Sequence, residues 1–527
     1  MVLARDGAGA GTVPVRTVPG MTISSRSSRH RLLWLGLGLV LQLFAVGGRW
    51  DLPLAAWGFQ VFLVRFVRTG RPWPGLALVW LVGVAGGLFW AVQLAVPITP
   101  LVLAGVVVLG SAAVVPFAVD RLVAARLGPF ARLLAFPAAL TAVAFLMGTY
   151  NPFGTAYGLL AVTQHDDLAL LQAISVVGPY AIAFLIGAVA TAANHLWERG
   201  GPRPAVVVAA VLAAVVAGGQ ARLAFAPAPG SPTVRVAGIN PAAASLDAAR
   251  RLLGAEPTDL RAVSGIDPAT VRAASALVSG QLFADTREAA RAGAKIVFWS
   301  ENAAKIRAED EPAFLAEAAR LAREQGIYLN LAMNVYLPAA PYGRDQTVLI
   351  GPGGNVLWTY QKHHPIPGLE SYRPGTGPVP VVDTPYGRLS NVICYDADFP
   401  ATMRVAADIM LVPGGDWPEM GRIHTKMASL RAIENGYALV RQDFNGSSQA
   451  FDHQGHVLSQ QDTTTGDNRP WIVDVPMRGA ITPYRMVGDV FAWLCAALTL
   501  GVVGAGVRRS VERRRQGARR SRTAVGR

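Results

Sequence analysis

Cysteine and lysine are almost missing from this 527-residue chain, which has two cysteines, Cys394 and Cys495, and four lysines, Lys295, Lys305, Lys362 and Lys426. Charged residues of either sign make up only 16%, whereas 52% are hydrophobic. That balance excludes a disordered chain and argues against an ordinary soluble enzyme. Cys495 lies inside a long apolar run, so no disulfide to Cys394 is expected and Cys394 reads as a lone thiol. His363 and His364 are adjacent and do not converge on one ion, and no Cys or His spacing matches a zinc site; neither a metal nor another cofactor is expected. The stretch Gly351-Pro352-Gly353-Gly354 lacks phosphate-loop spacing and reads as a turn.

What the chain does have is a net charge of +14, and its location matters. Residues 1–31 carry five arginines against Asp6, and residues 508–527 carry nine against Glu512. Neither tail contains an aromatic residue on which a base could stack, so no nucleic-acid partner is expected. The first 31 residues also lack the apolar core of a signal peptide, so the first apolar run reads as a retained membrane helix. Runs long enough to cross a bilayer fall at 32–48, 50–65, 74–96, 99–119, 129–149, 168–193, 204–221 and 485–507, the second being the shortest.

The loops after the second, fourth and sixth runs hold Arg65, Arg68 and Arg71; Arg121, Arg126 and Arg132; and Arg199 and Arg203. The intervening loops hold only Arg49, no charge, and Asp166 with Asp167. By the positive-inside rule, this alternation predicts about eight spans with both termini cytoplasmic. The expected organisation is a basic tail (1–31), a seven-span membrane domain (32–221), an extracytoplasmic domain (222–484), an eighth span (485–507) and an Arg-rich tail (508–527).

Within 222–484, a linker is expected at 226–232. Strand-like runs at 234–239, 295–299 and 328–335 alternate with helical patterns at 312–325 and 424–434. Hairpins are expected to turn at 351–354 and 452–455. Such alternation predicts a layered α/β domain. Three strand-like runs deliver chemistry-bearing residues at their ends: Glu301 after Ile296-Val297-Phe298-Trp299-Ser300, Lys362 after Tyr360-Gln361, and Cys394 after Asn391-Val392-Ile393. A thiol, a carboxylate and an ammonium are the parts of nucleophilic acyl transfer, providing thioester formation, proton transfer and oxyanion stabilisation.

The order Glu301, Lys362, Cys394 resembles the nitrilase (carbon-nitrogen hydrolase) superfamily over about 232–480. Further matches are Glu370 eight residues after the lysine, Arg431-Ala432-Ile433-Glu434-Asn435, and the 444–455 hairpin, although Phe444 stands where an Asn is usual. Other departures are Ser300 for the usual Pro, Gly238-Ile239-Asn240 for Gln-Gly-Asn, and Asp396 for Glu after Cys-Tyr. With seven spans upstream and one downstream, the whole is similar to the apolipoprotein N-acyltransferase family.

The resemblance implies an α-β-β-α sandwich on a membrane bundle in the bacterial cytoplasmic membrane. Cys394 would be the nucleophile and Glu301 the general base and acid. Lys362 would stabilise the oxyanion with the Tyr395 backbone N–H, and Glu370 would be a supporting carboxylate. It also implies a membrane phospholipid as acyl donor and a diacylated lipoprotein as acceptor. The alternatives are a membrane-tethered amidase of the same superfamily and a catalytically impaired lipoprotein-binding homologue. A transporter fits poorly, because the apolar runs hold few ionisable residues. The topology predicts that a reporter fused at Ala226 is active only outside the cytoplasm; cytoplasmic activity there would reverse the orientation.

Overall fold

The computed structural model describes residues 25–151, 159–225, 232–465 and 469–525. Most of the first basic tail, nearly all of the 226–232 linker and the middle of the 149–167 loop lie outside them. The N-terminal half is a helical bundle: α1 (Ser25–Leu43), α2 (Pro53–Thr69), α3 (Pro72–Gln93), α4 (Pro100–Ala118), α5 (Pro129–Tyr150), α6 (Leu168–Leu171), α7 (Ile174–Val177), α8 (Ala181–Trp197) and α9 (Arg203–Phe225). Proline at the first turn starts α2 through α5, where its missing N–H has no intrahelical acceptor in any case.

Among the described residues, five helices are long and apolar enough to cross a membrane, and α6–α7 with α8 make a sixth candidate, bent by 115°. The apolar run expected as one span at 168–193 is therefore broken. Gly178, at φ +83, and Pro179 end α7 and redirect the chain. The apolar part of α1 and all of α2 are shorter than the other spans.

Charged groups gather at one end of the bundle. Arg68 at the end of α2 donates to both carboxylate oxygens of Asp120, at 2.9 and 2.7 Å. Its other amino group lies 3.6 Å from Glu198, which also meets Arg132 at 3.4 Å. The acids of the arginine-rich loops thus serve as counter-ions, and the three loops share one end. The second half of the chain docks at the opposite end: Trp417 Nε1 donates to Leu94 O beyond α3 at 2.5 Å, and Lys426 meets Asp166 at 3.2 Å.

That half begins with β1 (Thr233–Ile239), α10 (Ala243–Leu253), α11 (Leu260–Ser264), α12 (Pro268–Arg291), β2 (Ile296–Trp299), β3 (Ala304–Arg307) and α13 (Glu311–Gln325). It continues through β4 (Tyr328–Tyr336), β5 (Gly343–Ile350), β6 (Val356–Gln361), β7 (Val381–Thr384), β8 (Gly387–Asn391), α14 (Pro400–Met403), β9 (Ile409–Gly415) and α15 (Pro418–Asn435). It closes with β10 (Ala438–Phe444), β11 (Ser447–Phe451), β12 (Val457–Asp462), β13 (Trp471–Pro476), α16 (Pro483–Val487) and α17 (Val490–Val525).

One sheet runs β13-β1-β2-β4-β5-β6, with β3 beside β4; the other runs β12-β11-β10-β9-β8-β7. The central pairs β1–β2, β2–β4, β8–β9 and β9–β10 are parallel. Parallel strands are covered on both faces, and their residues divide by parity. Val236, Ile296, Phe298, Ile409 and Leu411 point between the sheets. Ala237, Val297 and Trp299 face α12 and α13, while Met410 and Val412 face α15. The result is the expected four-layer α-β-β-α sandwich. Both hairpins form as expected, β5–β6 and β11–β12.

Helix α15 starts at Pro418, six residues before the expected helical pattern, and is buried around most of its circumference. Ala428 and Ala432 pack on the second sheet, whereas Met420, Ile423, Met427, Leu430 and Ile433 join the core of the helical bundle. A helix buried on opposite faces cannot be amphipathic. Its first turn crosses the β10–β11 turn so closely that a Cβ on Gly421 would lie 2.4 Å from the Gly446 Cα. Gly421→Ala must push backbone apart and should cost about 1–3 kcal/mol, read as a lower thermal midpoint of the purified protein. An unchanged midpoint would mean that α15 can move without penalty.

Candidate active site

Each of the three expected residues sits just beyond the end of a strand. Glu301 is two residues beyond β2, Lys362 one beyond β6, and Cys394 opens the tight turn after β8. Cys394 has φ +47, a left-handed conformation that a non-glycine residue adopts only where the surroundings enforce it. That conformation presents Sγ at the edge of the sheets, next to Tyr395, which is buried and packs edge-on against Phe399 at 5.2 Å.

The Lys362 ammonium is fully buried and donates to Glu301 Oε1 at 2.6 Å and Glu370 Oε1 at 2.7 Å. Burial alone would lower its pKa, but Glu301, Glu370, Cys394 and Asp345 outweigh burial and hold it well above the usual lysine value. Glu370 also accepts the Ile366 N–H at 2.7 Å, so one carboxylate binds the lysine and folds the 363–370 loop over it. Burial pushes Glu370 upward against the pull of Lys362.

Burial also raises the Cys394 thiol well above its ordinary pKa, and Glu301 adds to this; Lys362 and Arg441 oppose it. A thiol held in this way would need a base before it could act as a nucleophile. Sequence reasoning assigned the groups on the Lys362 side and missed those on the other side of Sγ. Arg441 Nη2 lies 3.7 Å from Cys394 Sγ and 2.9 Å from Asp416 Oδ2. His424 bridges Asp416 at 2.8 Å and Asp398 at 3.1 Å through its two ring nitrogens. A charged residue inside an apolar strand such as β10 was the available signal for Arg441. The fit to a metal is poor on both sides: the carboxylates of Glu301 and Glu370 surround the Lys362 ammonium, and Arg441 supplies the positive charge beside Cys394, Asp416 and His424.

Asp396, which departs from the family's Glu, is fully engaged. It accepts from Tyr360 OH at 2.8 Å, the His364 N–H at 2.8 Å and the Ile393 N–H at 3.2 Å, and it meets His364 Nδ1 at 2.8 Å. Burial would raise its pKa, but His364, Lys362 and Tyr360 hold it below the usual carboxylate value. The shorter acid joins the Cys394 turn to the loop that carries Glu370. The Arg431–Glu434 motif lies away from the thiol, as a buried pair at 2.5 Å within α15.

A cavity of about 310 Å³ adjoins this site. Its wall includes Gln60, Val106 and Met147 of the helical bundle together with Leu369, Tyr395 and Trp417. The residue that follows Cys394 and the loop that carries Glu370 therefore line the same space as the apolar helices.

Residues 264–474 match the carbon-nitrogen hydrolase family. That segment is similar to carbon-nitrogen hydrolase domains. An apolipoprotein N-acyltransferase of Geobacter metallireducens is 27% identical over 251 residues, 40% of this chain and 46% of the relative. One from Caulobacter vibrioides is 29% identical over 149 residues, covering 26% and 27% of the two chains. A deaminated glutathione amidase of Bos taurus is 30% identical over 178 residues, 28% of this chain and 54% of that protein. The chain thus spans about half, or less, of the length of these relatives. The resemblance read from the Glu, Lys and Cys motifs is borne out at the level of this superfamily and of its apolipoprotein N-acyltransferases.

The buried His424 gives the domain a pH signature. Burial opposes its charge, but Asp416 and Asp398 raise its pKa to about 10, whereas the unfolded chain would have about 6.5. The stability it contributes is complete below about pH 6.5 and disappears as pH rises through about 10. Lys305, lowered by burial to about 8, works in the opposite direction, so the comparison must be with His424→Gln. The thermal midpoint of wild type should fall more steeply than that of His424→Gln between neutral pH and about pH 10. Parallel slopes would mean that His424 is not held charged.

Proposed function

We propose that the protein is a membrane-embedded N-acyltransferase that takes an acyl chain from a phospholipid and passes it to the α-amino group of a diacylglyceryl-cysteine lipoprotein. The observation that favours this over hydrolysis of a small amide is the apolar-walled cavity shared by Tyr395, Leu369 and the helices. A soluble amide needs no entrance through a membrane bundle. A lipid acyl chain does, because both its donor and its acceptor stay in the bilayer.

In this reading Cys394 Sγ attacks the ester carbonyl while Glu301 takes the thiol proton. Lys362 and the Tyr395 N–H stabilise the oxyanion, and the Glu301 proton leaves with the departing alcohol. The lipoprotein amine then attacks the thioester, gives its proton to Glu301, and the thiolate regains one. Glu370 keeps Lys362 in place.

The positive-inside rule puts the arginine-rich end of the bundle in the cytoplasm and the docked domain at the opposite, extracytoplasmic face of the inner membrane. The proposed arrangement is the one expected from the sequence: 1–31 and 508–527 as cytoplasmic tails, 32–221 and 485–507 as membrane parts, and 222–484 as the catalytic domain. The span count remains part of this proposal.

The test is purified protein with labelled phospholipid and a diacylglyceryl-cysteine peptide. Wild type should form a thioester at Cys394 and then N-acylated peptide. Cys394→Ser and Lys362→Ala should each lower product formation by at least about 100-fold while still inserting into membranes. Hydrolysis of a short amide with no Cys394 thioester from phospholipid would overturn acyl transfer. A Lys362→Ala variant near the wild-type rate would remove its oxyanion role.

A further inference from the structure

Asp345 is a carboxylate that the acyl-transfer cycle described above leaves unused, although it faces the same ammonium. It sits on β5, pointing inward and 1% exposed, and neither side-chain oxygen has a hydrogen-bond donor among the described residues. Its Oδ2 is 3.8 Å from Lys362 Nζ, beyond hydrogen-bond length, because the ammonium already donates to Glu301 and Glu370. One carboxylate oxygen from each of Glu301, Asp345 and Glu370 lies within 4.8 Å of the other two. Three carboxylates in one dry pocket cannot all stay ionised beside a single contacting ammonium. The one without a donor is the natural holder of a proton.

We propose that Asp345 and Glu301 share one proton beside Lys362, and that this carboxyl pair, rather than Glu301 alone, is the site's proton acceptor. The proposal rests on the thiol chemistry proposed above. A neutral Asp345 donates its O–H to Glu301, a hydrogen bond where an ionised Asp345 would give repulsion. In the first half-cycle the Cys394 S–H proton passes to the pair, the S–C bond forms, and the C–O bond to the leaving alcohol breaks. The pair then returns one proton to that oxygen. In the second half-cycle the N–C bond forms, an amine proton passes to the pair, the C–S bond breaks, and the proton goes to Sγ. The pair ends with the single proton it began with.

The other ionisable groups facing Asp345 are Lys305 on β3, Tyr360 on β6, and Glu370 and Tyr372 in the following loop. Lys305 donates to Asn302 O at 2.7 Å. Burial first, and then the Glu301 charge, push Asp345 upward against Lys362.

The test uses the full-length protein in lipid nanodiscs at neutral pH, read by infrared difference spectroscopy. Wild type minus Asp345→Asn should show the C=O band of a protonated carboxylic acid, shifted by deuterium exchange. A difference spectrum with no such band overturns the proposal. Asp345→Asn keeps a donor toward Glu301 without a titratable proton, and Asp345→Leu keeps neither. Cys394 alkylation by iodoacetamide, which needs no lipid, should be at least about tenfold faster in Asp345→Asn than in Asp345→Leu at the same pH. Equal rates in the two variants also overturn it. Because neither measurement uses phospholipid, a wild type that forms no lipid-derived thioester but passes both defeats the acyl-transfer proposal alone. Normal thioester formation with no carboxylic acid band defeats the Asp345 proposal alone.

Discussion

A lysine ammonium shielded from bulk solvent has to find anions, and much of the site's geometry follows from how Lys362 finds them. Its stem leaves the end of β6 in the layer between the sheets, so its partners must come from neighbouring elements. Glu301 arrives from the end of β2 and Glu370 from the loop that follows Lys362. An ion pair this deep contributes little net stability, because desolvation of both charges offsets their attraction; breaking it would leave a buried charge and cost about 3–5 kcal/mol. The cluster therefore works less as a source of stability than as a constraint. It forces the 363–370 loop to fold back, and that loop carries Leu369 to the cavity wall and Gly368 against Leu101 of α4. The charge requirement of one lysine thereby couples the sheet to the helical bundle.

The same low dielectric acts on the thiol in two opposing ways. It disfavours the thiolate, so Cys394 rests protonated. It also strengthens every cation that faces the sulfur, Lys362 on one side and Arg441 on the other. A thiol placed between two fixed cations would pay little reorganisation as charge develops, provided a base removed the proton at that moment. Glu301, which accepts from Lys362 at 2.6 Å, is the base proposed for that step.

Much of this was legible before any coordinates. The strand that ends in Glu301, the hairpin that ends before Lys362 and the run that ends in Cys394 carry their identity locally, in apolar β-branched residues followed by one polar group. The groups on the far side of Sγ do not. Asp398, Asp416, His424 and Arg441 come from a turn, a strand end, a helix and a strand, and no local pattern announces that they meet. Asp345 was equally silent, because one acid beside Arg344 in a hairpin looks like a surface position until β5 is seen to be buried. The bend at Gly178-Pro179 was hidden for another reason: hydropathy averages over a window and sees one apolar run where the backbone makes two helices. The start of α15 at Pro418, with Gly436 as its left-handed cap, was readable, but its buried outer face obscured the helical period.

That buried outer face bears on why the charged site and the greasy cavity can adjoin. Charged groups of the site lie behind the Cys394 turn and pair among themselves and with their neighbours: Lys362 with two carboxylates, Asp396 with groups of Tyr360, His363, His364 and Ile393, and His424 with two aspartates. The side toward the bundle is apolar, made by α15, Tyr395 and Trp417. An alkyl chain lying in that cavity meets no ion directly, and only a carbonyl placed near Cys394 would feel the field of Lys362 and Arg441. Separation of this kind requires a rigid wall. Helix α15 supplies it, because its two opposite faces are fixed in two different cores and it can shift from neither without opening a void in the other.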